Sequence, residues 1–255
     1  MATTRDDNQD RELRQKAKER FAVAEKLEKE YLRSLRQLTR QVDHIIKGMT
    51  NEGVIKNSSE LQRVLRQYSV TVEPWARSIA EKMLLRIAKK DETAWISLGK
   101  EMGKSLRKEL NEAPTGDFLR GFLNEQVHLI TSLPVDAAER VHKLTLEGIT
   151  EGTRAKEIAA EILKTGSVIE SRAKCIARTE IARTASGLTM ARASYVGVTH
   201  YIWRTSGDVD VRKSHKEMNG KVVPFDTEPL LSDGHRTHAG AIFNCRCWMD
   251  PVFTD

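Results

Sequence analysis

A mainly α-helical chain carrying a small C-terminal α+β module is predicted by three observations. Apolar residues form a stripe from Phe21 to Met49 whose steps alternate between three and four near its end, the mark of one face of a long helix. Charged residues make up 31% and aromatics 5% of the 255 residues, a balance that suits solvated helices with enough aliphatic side chains to form a core. After Gly197 the texture changes to short β-prone runs separated by glycine-bearing loops. The expected architecture is a long N-terminal helix and a helical bundle over residues 1–130, followed over 131–255 by a module with a short β-sheet.

The leading helix is expected from Asp10 to about Thr50, its stripe formed by Phe21, Leu27, Tyr31, Leu35, Leu38, Val42, Ile45 and Met49. Gly48 and Gly53 bracket its end, and Asn57 with Glu60 three residues on has the spacing of a capping box for a helix through Tyr68. Pro74 suits the first turn of the next helix. That helix continues past Asp91 to about Asn111, before the Pro114-Thr115-Gly116 break. One helix is expected over Phe118–Ile130, and Pro134 is read as opening another. Thr153 is read as the cap of RAKEIAAEILKTG, and one or two helices cover Ser167–Val196. THYIWRTS, KVVPF and FNCRCWMDPVF are the three strand candidates.

Forty-two Lys and Arg against 36 Asp and Glu leave a net charge of +6, which favours a polyanionic partner without identifying one. The excess concentrates in residues 76–108, with nine basic against four acidic side chains. Lys82, Arg86, Lys89, Lys90, Lys100 and Lys104 are the candidate contacts to double-stranded DNA without sequence specificity, on what could equally be a solvated helix exterior. No run approaches the ~18 apolar residues a membrane span needs, so no membrane association is expected. The N-terminus lacks the apolar stretch of a secretory signal, and the three cysteines, Cys175, Cys245 and Cys247, do not form a secreted disulfide framework. Reduced thiols in a cytosolic chain are expected.

Cys245 and Cys247 are two apart, so on a strand they would face the same way and could grip one metal ion. His215 is the candidate third ligand, with His235 or His238 as a fourth, and the ion would be a structural zinc. The same residues could instead pack as small buried thiols beside a hydrogen-bonded imidazole. Glu180 and Arg183 can pair at i, i+3, and Asp208, Asp210 and Arg212 lie in a turn after Ser206-Gly207, where Asp210 and Arg212 could instead brace the NCRC strand, with Arg246 on the face opposite its two flanking cysteines. Trp203 and Trp248 read as core aromatics. No HExxH, phosphate-gripping glycine loop or nucleophile–base constellation is visible, so no catalytic residue is assigned and no enzyme is expected.

Several pieces stand in order along the C-terminal half. They are IARTEIART with Arg178, Thr179 and Glu180; Tyr195 and Gly197-Val198; Trp203-Arg204-Thr205; Asp210-Val211-Arg212 with His215; Asn219-Gly220-Lys221; and Asn244-Cys245-Arg246-Cys247. Upstream, the Pro134 helix, Glu147-Gly148, Gly152-Thr153-Arg154 and EIAAEI fit the same series. Together they resemble the phage Mu F-like head morphogenesis family over roughly the last 115 residues. Where relatives carry Cys-x-x-Cys this chain has Arg212 and His215, and AGAIF precedes its NCRC. The resemblance implies a minor head protein acting in procapsid and head assembly, with the portal protein and other capsid components as partners. It would be assembled in the host cytoplasm and lie in the virion, in the head interior or near the portal, sometimes against packaged DNA. The competing expectation is a toxin-like or nucleic-acid-processing enzyme built on the α+β module.

Overall fold

In the computed structural model, residues 4–51, 54–55, 57–102 and 115–252 are described. The chain runs α1 (Thr4–Gly48), β1 (Thr50–Asn51), β2 (Val54–Ile55), α2 (Ser58–Thr71), α3 (Glu73–Met102), α4 (Thr115–Thr150), α5 (Ala155–Leu163) and α6 (Thr165–Tyr195). The module follows as β3 (His200–Arg204), α7 (Lys213–Lys216), β4 (Val222–Pro224) and β5 (Trp248–Val252). The expected fold class is therefore observed: helices dominate, and a small antiparallel sheet of order β4-β3-β5 closes the chain. Among the described residues no helix is long and apolar enough to cross a membrane.

The chain divides into two compact units, one of residues 30–82 and 122–177, the other of residues 1–29, 83–121 and 178–255. In the first, the stripe of α1 is buried as predicted at Tyr31, Leu35, Leu38 and Val42. Leu32 and Ile46 are buried beside them, whereas Ile45 and Met49 are only partly covered. The side chain of Phe21 lies outside the described residues. A two-residue antiparallel ladder, Thr50 with Ile55 and Asn51 with Val54, turns the chain toward α2. The Asn57 side chain accepts from the Glu60 amide at 2.9 Å, so the predicted cap opens α2. Leu61 and Leu65 of α2 are fully buried. Buried Val72 joins α2 to α3: its amide donates to the Tyr68 carbonyl and its carbonyl accepts from Ala76.

Pro134 does not open a helix; it lies inside α4. A proline there removes one i→i−4 bond and crowds the preceding turn. Three hydroxyls serve carbonyls on that turn: Ser69 Oγ donates to Thr131 at 2.7 Å, Thr131 Oγ1 to Val127 at 3.0 Å and Ser132 Oγ to Leu129 at 2.9 Å. Burial of Ile130, Leu133, Ala137, Ala138 and Val141 on one face then carries the helix through. Thr153 likewise is not the cap of α5, a position held by Arg154 without a side-chain bond. Its amide is engaged in closing α4, donating to the Gly148 carbonyl at 2.8 Å while Gly152 adopts φ +68°. That left-handed glycine and its two backward bonds form a Schellman C-cap.

In the second unit, α6 and the sheet enclose a core of Tyr201, Trp203, Met218, Val223, Phe225, Leu231, Cys245, Cys247 and Met249. The strand β3 pairs with both neighbours, Tyr201 opposite Val223 on one side and Pro251 on the other. Alternation buries Tyr201 and Trp203 on one face of β3. On α6, Arg192 reaches Asp91 of α3 at 2.7 Å, both buried. Gly240, at φ +80°, lies where an added Cβ would strike Ser186 Oγ, and Ser186 itself donates to the Ala239 carbonyl at 2.8 Å. The loop following β4 is thus seated on α6 by close backbone approach.

Candidate metal centre

His215 is delivered by one turn of helix. After β3 the chain bends at Asp208, whose Oδ1 accepts from the Asp210 amide at 3.1 Å, the short-range bond expected of a carboxylate in a turn. The turn α7 then places Ser214 and His215 inward and leaves Lys213 and Lys216 outside. Trp203 backs the imidazole edge-on, with ring centroids 5.4 Å apart and planes at 85°. Asn219 and Gly220 return the chain to β3: the Asn219 Oδ1 accepts from the Thr205 amide at 3.0 Å, and the Gly220 amide donates to the Trp203 carbonyl at 2.8 Å.

The two cysteines do not lie on a strand. β5 begins at Trp248, and residues 245–247 form an irregular segment before it. Their common direction is set by tethers instead of strand alternation. Asn244 holds a left-handed φ of +56°, a conformation asparagine tolerates better than most residues, and its amide donates to Thr179 Oγ1 on α6 at 3.0 Å. The Cys245 amide then bonds the Ile242 carbonyl at 3.1 Å. Both sulfurs arrive at the same imidazole nitrogen, Cys245 Sγ at 3.5 Å and Cys247 Sγ at 3.4 Å from His215 Nδ1. Neither thiol is in a disulfide.

The three ligand atoms lie within 4.8 Å of one another and all three residues are buried. Zinc–sulfur and zinc–nitrogen bonds of about 2.3 and 2.0 Å at tetrahedral angles would set each sulfur about 3.5 Å from the nitrogen. The observed separations match that edge, so the donor set could hold a metal ion. The Cys245 thiol is held below its ordinary pKa, first by a hydrogen bond from Cys247 and then by His215, against the opposing effect of burial. Cys247 is pushed up, first by its hydrogen bond with Cys245 and then by burial. Among the described residues, the buried His215 Nε2 has no hydrogen-bond partner.

Outside this group runs a shell of ion pairs. Arg246, between the cysteines, reaches Asp208 at 2.8 Å and Asp210 at 3.5 Å, while Arg212 donates to the Phe243 carbonyl at 2.8 Å. The predicted contact between the Asp210–His215 loop and the Asn244–Cys247 segment is therefore made. Arg178 pairs with Glu28 of α1 at 3.2 Å, and buried Glu180 with Arg183 at 3.1 Å, the i, i+3 pair anticipated. His235 and His238 do not join the metal group. His235 Nδ1 lies 3.2 Å from an exposed Asp233 oxygen, and buried His238 Nδ1 lies 3.2 Å from the Tyr201 hydroxyl. Asp208, the anchor of Arg246, was legible as a turn residue, but only folding shows it bound to the cysteine segment. Of the basic candidates, Lys82, Arg86, Lys89 and Lys90 are exposed on α3. Lys104 lies outside the described residues, as does the side chain of Lys100.

Comparison with known proteins places this geometry in a family context. The chain is 34% identical over 126 residues to an uncharacterized protein of Haemophilus influenzae, an alignment covering 49% of this chain and 27% of the relative. The chain thus matches about a quarter of that relative's length. No solved structure matches. A family model described as Phage Mu protein F like protein matches residues 139–249, a span that opens within α4 and includes His215, Cys245 and Cys247. The resemblance carried by the ordered motifs is thereby borne out: over residues 139–249 this chain is similar to the Phage Mu protein F like family.

Proposed function

We propose that the chain is a minor head protein of a phage, acting in procapsid and head assembly as a structural component. The observation that carries this reading is the Mu F-like match over residues 139–249. The enclosed His215–Cys245–Cys247 group inside that span supports it, since ligands sealed in a core suit a structural tie better than turnover of a substrate. In this reading His215 Nδ1 and the two sulfurs hold zinc, an ion that would supply cross-linking of α7 to the segment before β5. The portal protein and other capsid components are the partners, and the protein resides in the head interior or near the portal. The exposed cations Lys82, Arg86, Lys89 and Lys90 meet packaged double-stranded DNA through its phosphates without reading sequence.

Co-sedimentation of the purified chain with portal rings, and separately with duplex DNA across a salt series, tests the assembly role. Pelleting with portal rings is expected, and DNA retention that falls steeply with salt. Pelleting with neither would overturn the proposal. Elemental analysis of the purified chain is expected to find about one zinc per chain, the stoichiometry of a single site.

A further inference from the structure

We propose that Arg246 is a positioning residue for the metal centre: pulled outward by Asp208, it turns the cysteines on either side of it toward His215. This rests on the metal reading above. The segment 245–247 is not part of a strand, so the alternation that would aim two cysteines the same way is not imposed by a ladder. Beside the Asn244–Thr179 tether, the residue between the two sulfurs is a second lever on their direction. Arg246 Nη2 reaches Asp208 Oδ1 at 2.8 Å, and that same oxygen accepts the Asp210 amide that shapes the turn. The arginine is therefore tied to the bend that launches His215.

A second arginine crosses the other way, Arg212 donating from the histidine loop to the carbonyl of Phe243, two residues before Cys245. The two segments are thus stitched on both sides of the ligand cluster. The Arg246 side chain is 21% exposed and that of Asp208 32%, so the pair is half-sheltered and geometrically defined, unlike a freely solvated surface pair. Partners that orient metal ligands from outside typically change affinity by about 10–100-fold when removed.

Cobalt(II) titration of the full-length chain, followed by zinc competition, tests the assignment. Thiolate-to-cobalt absorption reports sulfur ligation, and thermal melts of metal-free and metal-loaded protein report stability separately. The wild-type chain is expected to show tetrahedral thiolate–cobalt bands. R246Q is expected to bind zinc roughly 10–100-fold more weakly with altered bands, and R246K to recover part of the affinity. Wild-type affinity and spectrum in folded R246Q would overturn the proposal, as would a lowered metal-free melting temperature with affinity unchanged. If R246Q fails to fold, D208N takes its place: weaker zinc binding supports the proposal and wild-type binding overturns it. A wild-type chain that takes up no cobalt would bring down the metal reading itself, and this inference with it.

Discussion

Between residues 30 and 82, and again between 122 and 177, the backbone is satisfied mainly by its own helices, and side chains are left to fill the core and decorate the surface. Between 200 and 252 the reverse holds. The strands span three to five residues, and the loops between them hang on side chains: Asn219 on Thr205, Asp208 on Asp210, Thr179 on Asn244, Arg212 on Phe243. Where hydrogen bonding is local, stability is spread over many equivalent bonds, and losing one group costs little beyond its own contacts. Where distant side chains carry the backbone, each is a single point of failure, and a metal cross-link contributes most.

The largest expected effect falls in the module. If the cluster holds zinc as proposed, free zinc about a thousandfold above its dissociation constant would add about 4 kcal/mol to stability. C247S, or chelation of the wild type, should remove that contribution, as followed by thermal melts with and without zinc; identical melts would erase the contrast between the units. In the helical unit the matching test is L65A, at a fully buried site, expected to cost roughly 3 kcal/mol in chemical denaturation through lost burial and a cavity. That cost should not depend on zinc.

Smaller still is N57A, which deletes the bond to the Glu60 amide and is expected to cost about 1 kcal/mol by the same measurement. The smallest effect concerns pH. Burial holds the His238 pKa below its ordinary value of 6.5, so over the interval beneath 6.5 the unfolded chain binds a proton that the folded chain resists. Its contribution is therefore complete above 6.5 and declines as the pH drops through that interval. Melting temperatures between neutral and mildly acidic pH should fall less steeply in H238Q than in wild type; parallel curves would assign the decline to other groups.

What could be read from the sequence was what depends on near neighbours. The α1 stripe, the Asn57–Glu60 cap, the burial of Trp203 and the Glu180–Arg183 pair are all fixed by periodicity or spacing of a few residues, whereas Trp248, expected in the core with Trp203, is only partly covered. The failures share a cause. Pro134 is carried within α4 by the tertiary burial of Ile130, Leu133, Ala137 and Val141 around it; Thr153 is occupied by the end of the preceding helix. The cysteines face one way through Thr179 and Arg246 pairings that no local pattern encodes. His238 offered the right donor atom for a metal, yet its ring faces the Tyr201 hydroxyl, a choice made by the packed core.

The edge-on seating of Trp203 against His215, centroids 5.4 Å apart, gives the module an optical handle of its own. Indole emission is sensitive to the charge on an adjoining imidazole, and cobalt at His215 would drain the excited state by energy transfer. Of the four tryptophans in the chain, this one therefore converts occupancy of the ligand cluster into light, and a difference spectrum against W203F isolates its signal. Loading of the centre could then be followed in real time without any attached dye.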